Sequence, residues 1–275
     1  MGKALVSVIM GIYNCEDTLG ESIECIINQT YKNWELIMCD NGSEDNTISI
    51  AENYSRQYPD KIFLIKNKKN LGLNISLNNC LKFAKGKYIA RMDGDDLCSP
   101  NRLEKEVNFL EEHLEYDIVS TNMIYFDEQG VFGRSYSNKN PQVKDIIKGT
   151  PFCHAPCMVR KHAYDAVDGY SVDKKLLRVE DYHLWIKMYA NGYRGYNIQE
   201  TLYQMRDDRN AIKRRKFKYR INEAYVKLVA VKLLNLPKWY LIYSLGPIIV
   251  GMIPEIMYEK LHKKRLSHNA SIGEK

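Results

Sequence analysis

Three carboxylates and a glycine, Asp93-Gly94-Asp95-Asp96, stand between an apolar run and the start of a helix. Carboxylates crowded at one strand end repel each other strongly unless a cation sits among them. Gly94 removes side-chain bulk where something must approach the backbone closely. The group suits a hard divalent metal with oxygen ligands, open to bind phosphate as well. On the residues alone, an acidic loop that caps the next helix is the alternative. Polar residues also follow two earlier apolar runs: Tyr13-Asn14, then Asp40-Asn41-Gly42-Ser43-Glu44-Asp45. Taken singly, each is an ordinary turn and cap.

The elements that must position these residues alternate between strand and helix. Lys87 to Met92 reads as a buried strand, and Leu97 to Leu103 as a loop, a cap and a helix opening at Pro100. Upstream, the pattern predicts strand 5–12, a helix near 16–29, strand 34–39, a helix near 46–57, strand 62–66 and a helix from about 72 to 85. Leu19, Ile23, Ile26 and Ile27 share one face of the first helix. Short apolar runs separated by helices predict an α/β fold, a mainly parallel, Rossmann-like sheet covered on both faces. Beyond Pro100 the expectation is a helix to about 115, strand 117–126, a Gly-containing turn at 130–133 and a strand near 153–160. A helix over 180–190, a last strand near 194–205 and a long basic helix complete the order. In an open parallel sheet, ligands bind beyond the C-terminal ends of the strands. Asp40, Asn41 and the Asp93 cluster therefore converge on one cleft.

The chain has 275 residues, 45% of them hydrophobic, enough for one large α/β domain and an appendage. Its net charge of +6 is unevenly spread. Residues 1–208 carry 25 Lys and Arg against 30 Asp and Glu, whereas residues 209–265 carry 14 against 3. An acidic body with a basic tail predicts that the tail meets something anionic. The seven cysteines are odd in number and lie in apolar or helical patterns, as expected of reduced thiols in a cytosolic protein. Cys153-His154-x-x-Cys157 finds no second Cys/His pair at a usable spacing, which argues against structural zinc. The apolar N-terminus lacks a small-x-small cleavage site and runs into a turn and an amphipathic helix, so a first strand is expected and secretion is not. Dinucleotide, P-loop, zincin and nucleophile-elbow signatures are all missing.

Five motifs occur in order: Val8 to Asn14, Cys39-Asp-Asn-Gly-Ser-Glu-Asp-Asn-Thr47, Asn70-Leu-Gly72, Met92-Asp-Gly-Asp-Asp96 and Val179-Glu-Asp-Tyr-His-Leu-Trp185. Together they resemble glycosyltransferase family 2, the inverting GT-A-fold group that uses nucleotide sugars and includes bacterial capsule and exopolysaccharide transferases. The resemblance covers roughly residues 4–206. It implies a catalytic domain over 1–208, with a nucleotide-sugar half over about 1–100 and an acceptor half over about 101–208, followed by a helical tail over 209–275. It implies that Tyr13 and Asn14 border the nucleotide pocket and that Asp40 and Asn41 meet base and ribose. Asp93 and Asp95 would hold Mn²⁺ or Mg²⁺ on the donor diphosphate, Asp95 more directly, and Asp181 would be the catalytic base. Four departures stand out: Gly11 for a common Pro, Asn41 for an Asp, Leu77 for a basic residue, and Arg206 where some relatives place a metal-binding His. Arg206 could instead contact the diphosphate as a fork-shaped donor.

The chemistry calls for these residue types. Transfer from a nucleoside diphosphate sugar, with UDP the favoured carrier, must stabilise an oxocarbenium-like centre and a departing diphosphate, where a divalent metal acts as a Lewis acid. The acceptor hydroxyl is a poor nucleophile and needs a carboxylate to take its proton. Glu180-Asp181 opens an apolar helix, and without the resemblance it would simply complement the helix dipole. Glu180 and His154 are acceptor-side candidates; a satisfied structural histidine is the other reading of His154.

The tail combines a basic, aromatic stretch at 209–220 with an uncharged run at 239–254 and a second basic cluster from Lys260 to Arg265. Sixteen uncharged residues broken by Pro247 and Pro254 fall short of a bilayer span of roughly 20. Trp239, Tyr240 and Tyr243 suit the headgroup boundary. The expected partners are a lipid-linked glycan acceptor and an anionic membrane surface, with the protein peripheral on the cytoplasmic face. Packing on the catalytic domain or on a homodimer partner is the alternative for the tail. A catalytically idle sugar-nucleotide module is the alternative function, and Asp93, Asp95 and Asp181 all being present speaks against it. The acidic body speaks against nucleic acid.

Overall fold

The computed structural model describes residues 2–207 and 216–253. Four strands, β1 (Val6–Ile12), β2 (Trp34–Asp40), β3 (Ile62–Lys66) and β4 (Tyr88–Arg91), lie parallel in the spatial order β3-β2-β1-β4. Helices α1 (Leu19–Ile27), α2 (Thr47–Gln57) and α3 (Leu73–Phe83) connect them. Side chains alternate across a strand, so each strand feeds two cores. Ile9, Ile37 and Ile89 pack with Leu77 and Cys80 of α3 on one face. Val8, Met10, Leu36 and Met38 pack with Ile23, Ile26 and Ala51 of α1 and α2 on the other. Covering on both faces explains why these strands are apolar without alternation.

Beyond β4 the sheet becomes mixed. β5 (Leu97–Cys98) and α4 (Arg102–Glu112) precede the long strand β6 (Ile118–Asp127), its hairpin partner β7 (Gly130–Arg134) and the helix α5 (Val143–Ile146). Then come β8 (Met158–Arg160), α6 (Lys161–Ala166), α7 (Glu180–Ala190) and β9 (Gly195–Arg206). β8 is antiparallel to β4 and β6, β6 is parallel to β9, and β5 closes the sheet antiparallel to β9.

Three sequence expectations need correction here. The segment 130–133 is a strand, because Gly130, Val131 and Gly133 pair with β6 while the turn itself falls at 128–129. The strand expected near 153–160 is confined to β8, since a turn closed by the Cys157 N–H on the His154 carbonyl occupies its first half. Leu97-Cys98, read as loop, pairs with Tyr203-Gln204 and so ties the exit of the acidic loop to β9.

α7 supplies the centre of the second core, with Leu184, Trp185, Ile186 and Met188 fully buried. α8 (Phe217–Leu233) lies against it and buries Val226, Ala230 and Val231 in the same cluster. A 3₁₀ segment, Lys238–Ser244, and α9 (Leu245–Met252) then fold back onto α8. Residues 209–215 and the cluster from Lys260 to Arg265 lie outside the described residues. No helix among the described residues is long and apolar enough to cross a membrane.

Candidate active site

β4 ends in Arg91 and delivers the acidic loop. Carboxylate oxygens of Asp93, Asp95 and Asp96 lie within 4.8 Å of one another. The three are nonetheless held differently. Asp96 is 1% exposed and both its oxygens are taken, by the Tyr203 hydroxyl at 2.8 Å and the Arg206 N–H at 2.8 Å. Asp93 accepts from the Arg91 guanidinium at 2.6 Å, and its own N–H donates to the Tyr203 oxygen at 3.2 Å. Asp95 is the exposed member of the three, and it lines the cleft together with the half-buried Asp93. Hydroxyls of Thr18 and Ser22 on the α1 side hold the carbonyls of Gly94 and Asp96 at 3.1 and 2.8 Å. A Cβ on Gly94 would stand 3.1 Å from both Cys15 Sγ and Ile12 Cγ2, so protein packing, not a ligand, fills the room that glycine leaves.

Burial first, then the charge of Asp93, pushes the Asp95 carboxyl up to about 6, and Asp96 is raised by burial, Asp93 and Asp95. Clustered hard oxygen donors whose ionised forms disfavour one another are a fitting seat for Mn²⁺ or Mg²⁺. Arg91 neutralises only part of this charge from below.

The loop forms one wall of a cleft of about 1820 Å³. Tyr13 and Asn14 from the end of β1, Asp93 and Asp95, Arg206 from β9, and His154, Glu180 and Asp181 all line it. Eight of the ten sequence-selected residues therefore meet in one place. Tyr13 is 44% exposed and offers a free ring face. Asn14 takes a left-handed φ of 45°; its N–H donates to Ser43 Oγ at 3.0 Å and its side-chain oxygen accepts the Glu44 N–H at 3.0 Å.

Asp40 and Asn41 do not join them. The Asp40 carboxylate is fully buried and accepts the Gly42 N–H at 2.9 Å and the Ser43 N–H at 3.2 Å. Asn41 donates to Asn70 Oδ1 at 2.9 Å and accepts the Leu71 N–H at 2.8 Å. Neither residue is among those lining the cleft, where the resemblance has the pair meet base and ribose. Their hydrogen-bonding groups are engaged in building the loops behind the pocket wall.

Asp181 stands half-buried in the first turn of α7, anchored by Trp185 one turn on. Burial and then Glu180 push its carboxyl up to about 6. Glu180 carries a buried oxygen, Oε2, without a partner among the described residues. The ring of His154 meets Trp185 edge-on at 5.8 Å, and its Nε2 lies 2.8 Å from the Tyr170 hydroxyl. Burial, then Arg91, holds the His154 pKa well below 6.5, so the ring is neutral.

Arg206 locks β9 to the acidic loop. Its Nε donates to the Asp95 carbonyl at 3.0 Å, Nη2 reaches Glu21 at 2.7 Å, and the guanidinium lies 4.8 Å from the Phe126 ring centre. Sequence reasoning missed Arg91, Tyr203 and Arg102. The fully buried pair Arg102–Glu106 (3.1 Å) supports the strand end from behind, with Arg102 donating to the Arg91 carbonyl at 2.9 Å. A charge inside the apolar run before Asp93 was the one available signal for Arg91. Tyr203, at an alternating strand position, gave none. Past Asp181 and Asp95, a second cavity of about 1300 Å³ continues toward Lys216 and Tyr219 at the start of α8.

Comparison with known proteins gives the family. The Glycosyl transferase family 2 profile matches residues 7–167, and that of Glycosyl transferase family group 2 matches residues 88–257. The chain is 50% identical over 261 residues to EpsE of Bacillus subtilis (strain 168), a protein named as a glycosyltransferase, covering 95% of this chain and 94% of that one. It is 28% identical to the Escherichia coli UDP-Glc:alpha-D-GlcNAc-diphosphoundecaprenol beta-1,3-glucosyltransferase WfaP, over 83% of this chain and 88% of the other. Among solved structures, S. aureus TarS 1-349 in complex with UDP superposes with a TM-score of 0.66 at 19% identity, covering 90% of this chain and 75% of that one. The mannosyltransferase PcManGT from Pyrobaculum calidifontis, in complex with GDP-Man and Mn²⁺, gives 0.60 at 19% identity over 100% of this chain and 82% of the other. At that identity the structural likeness speaks for the fold.

Proposed function

This chain belongs to glycosyltransferase family 2, and from that membership and its cleft we propose an inverting, metal-dependent transfer from a nucleoside diphosphate sugar to a lipid-linked glycan in surface polysaccharide synthesis. The observation that carries the proposal is that two carboxylate centres from different elements, Asp93/Asp95 after β4 and Asp181 on α7, line one cleft. A metal held by Asp95 and Asp93 would supply Lewis-acid neutralisation of the departing diphosphate. Tyr13 offers its exposed ring to the base, and Arg206 stands beside the loop that meets the diphosphate. Asp181 takes the proton of the acceptor hydroxyl as that oxygen attacks the anomeric carbon from the face opposite the leaving group. The bond to the diphosphate breaks and the configuration inverts.

UDP is the favoured carrier, since TarS was solved with UDP and WfaP is named for UDP-Glc. The lipid-diphosphate acceptor follows from the name of WfaP in the same way. The direct test incubates the protein with Mn²⁺, α-D-GlcNAc-diphosphoundecaprenol and each of a panel of UDP- and GDP-sugars. One UDP-sugar should be consumed with inversion at the anomeric carbon. Retention of configuration, or full turnover in excess chelator, overturns the mechanism.

The tail supports attachment to a membrane surface. Ile242, Leu245, Ile249 and Met252 form one stripe across the 3₁₀ segment and α9 and are 65%, 55%, 61% and 71% exposed. Trp239 adds an exposed aromatic beside them. Apolar burial in the interface, plus about 1 kcal/mol for each basic residue near an anionic surface, should together hold a protein that neither holds alone. Full-length protein is expected to pellet with phosphatidylglycerol vesicles, to be released only in part by high salt, and to be released by detergent. Replacing Ile242, Leu245, Ile249 and Met252 with serine should abolish pelleting while donor binding persists. Indifference of the full-length protein to vesicles would assign the stripe to packing or to a homodimer.

A further inference from the structure

His154 is joined to two buried tyrosines in a chain whose proton direction follows from counting donors. Its Nε2 lies 2.8 Å from the Tyr170 hydroxyl, which in turn lies 3.1 Å from the Tyr164 hydroxyl. Both tyrosines are buried, and Tyr170 is the partner that Tyr164 finds among the described residues. Suppose Nε2 carried the proton. It would donate to Tyr170, Tyr170 to Tyr164, and the Tyr164 proton would be left in the core without an acceptor. In the opposite direction, Tyr164 donates to Tyr170 and Tyr170 donates to Nε2, so every hydroxyl proton is satisfied. A buried donor left unmatched costs about 1–3 kcal/mol, which decides for the second arrangement. The neutral imidazole then carries its proton on Nδ1.

That nitrogen has a free direction. No hydrogen bond to Nδ1 exists among the described residues, and it is not among the buried polar atoms that lack a partner. It therefore opens on the cleft, whose lining His154 shares with Asp181. The relay is itself held firmly. Asn78 of α3 clamps the Tyr170 backbone, accepting its N–H at 2.8 Å and donating to its carbonyl at 2.7 Å. Trp185, on the same helix as Asp181, limits rotation of the His154 ring.

We propose that Tyr164 and Tyr170 are positioning residues that fix His154 as an Nδ1–H donor, and that this N–H holds a hydroxyl oxygen of the acceptor sugar beside Asp181. The identity of the sugar rests on the glycosyl-transfer reading above; the tautomer is a property of the resting protein.

Two measurements separate these parts. Imidazole ¹⁵N NMR of the full chain, with His154 assigned by its loss in His154→Asn, reads the tautomer without substrate. An Nδ1–H form is expected, and an Nε2–H form overturns the relay. Tyr170→Phe should populate both tautomers. Kinetics with α-D-GlcNAc-diphosphoundecaprenol then test the contact, because asparagine places an amide nitrogen near Nδ1 and glutamine near Nε2. His154→Gln should raise the acceptor KM about tenfold, the loss of one hydrogen bond of roughly 1.4 kcal/mol. His154→Asn should restore most of it, and Tyr170→Phe should raise KM about threefold to tenfold. UDP–Mn²⁺ binding should stay unchanged throughout. Equal losses in the asparagine and glutamine variants, or weakened UDP–Mn²⁺ binding, overturn the contact. A wild-type protein that transfers to no lipid-diphosphate sugar counts against both the contact and the proposed function, while the tautomer still decides the relay.

Discussion

Replacing Asp181 with asparagine should lower turnover by roughly two to four orders of magnitude, the usual contribution of a positioned general base. The amide keeps the shape and the first-turn position in α7 but has no basic oxygen to take the acceptor proton. Donor affinity should hardly change, because Asp181 sits on α7 in the later half of the chain, whereas Tyr13 and the acidic loop belong to the first half. The pH profile gives an independent reading. Burial and Glu180 raise the Asp181 carboxyl to about 6, so the competent, ionised form is lost as pH falls through that value. With metal saturating, kcat/KM of the wild type should rise as pH climbs through about 6, and the residual rate of the variant should lack that limb. A large loss of donor or Mn²⁺ binding in Asp181→Asn would make the residue part of the metal seat and contradict its assignment as base.

The first half of the fold, where the nucleotide is proposed to sit, was largely legible from sequence because its strands are buried on both faces. Such strands appear as continuous apolar runs, and the polar residues that interrupt them mark their C-terminal ends. Asp93, Asp95, Tyr13 and Asn14 were found that way. Asp40 and Asn41 obey the same signal for another reason: a short polar side chain after a strand can face a ligand or satisfy its own loop, and both patterns look alike. Here Asp40 satisfies the Gly42 and Ser43 amides and Asn41 the Leu71 amide, so proximity in sequence to the cleft does not become contact with it. The later half was harder to read. β5, β7 and β8 have two, five and three residues, too short for alternation to register, and each is defined by its partner strand. The same holds for Tyr203. Its role as the link between Asp93 and Asp96 exists only because β9 returns beside the acidic loop from more than a hundred residues away.

Asp95→Asn should abolish transfer, with a loss of about three orders of magnitude or more, since a metal contributes several kcal/mol of charge stabilisation at the diphosphate. The variant should also separate function from fold through its pH-dependent stability. In the metal-free protein the Asp95 carboxyl is raised from its ordinary 3.8 to about 6. The folded state therefore holds a proton that the unfolded state has already released. Its contribution to stability is complete below the ordinary pKa and is lost as pH rises through about 6. Between pH 5 and pH 8 the metal-free wild type should accordingly lose stability relative to Asp95→Asn, a difference read from their two melting curves. The slope common to both proteins comes from other shifted groups, among them Asp96, Glu106 and Asp181 in the same sense and His154 and His183 in the opposite one. Mn²⁺ reverses the order for the wild type, because it binds the ionised carboxylates and stabilises the folded state by mass action. Its thermal shift should grow from pH 5 to pH 8 and vanish in Asp95→Asn. An equal Mn²⁺ shift in the variant would move the ion elsewhere, and a metal-free wild type whose pH dependence matches that of Asp95→Asn would deny that the cluster is electrostatically frustrated. Asp96 offers the contrast. Both its oxygens are occupied by Tyr203 and Arg206, so Asp96→Asn should weaken the tie between the acidic loop and β9 and lower stability even without metal. Neighbouring carboxylates in one loop thus have opposite signs of effect, and it is the hydrogen bonds from β9 that set the sign.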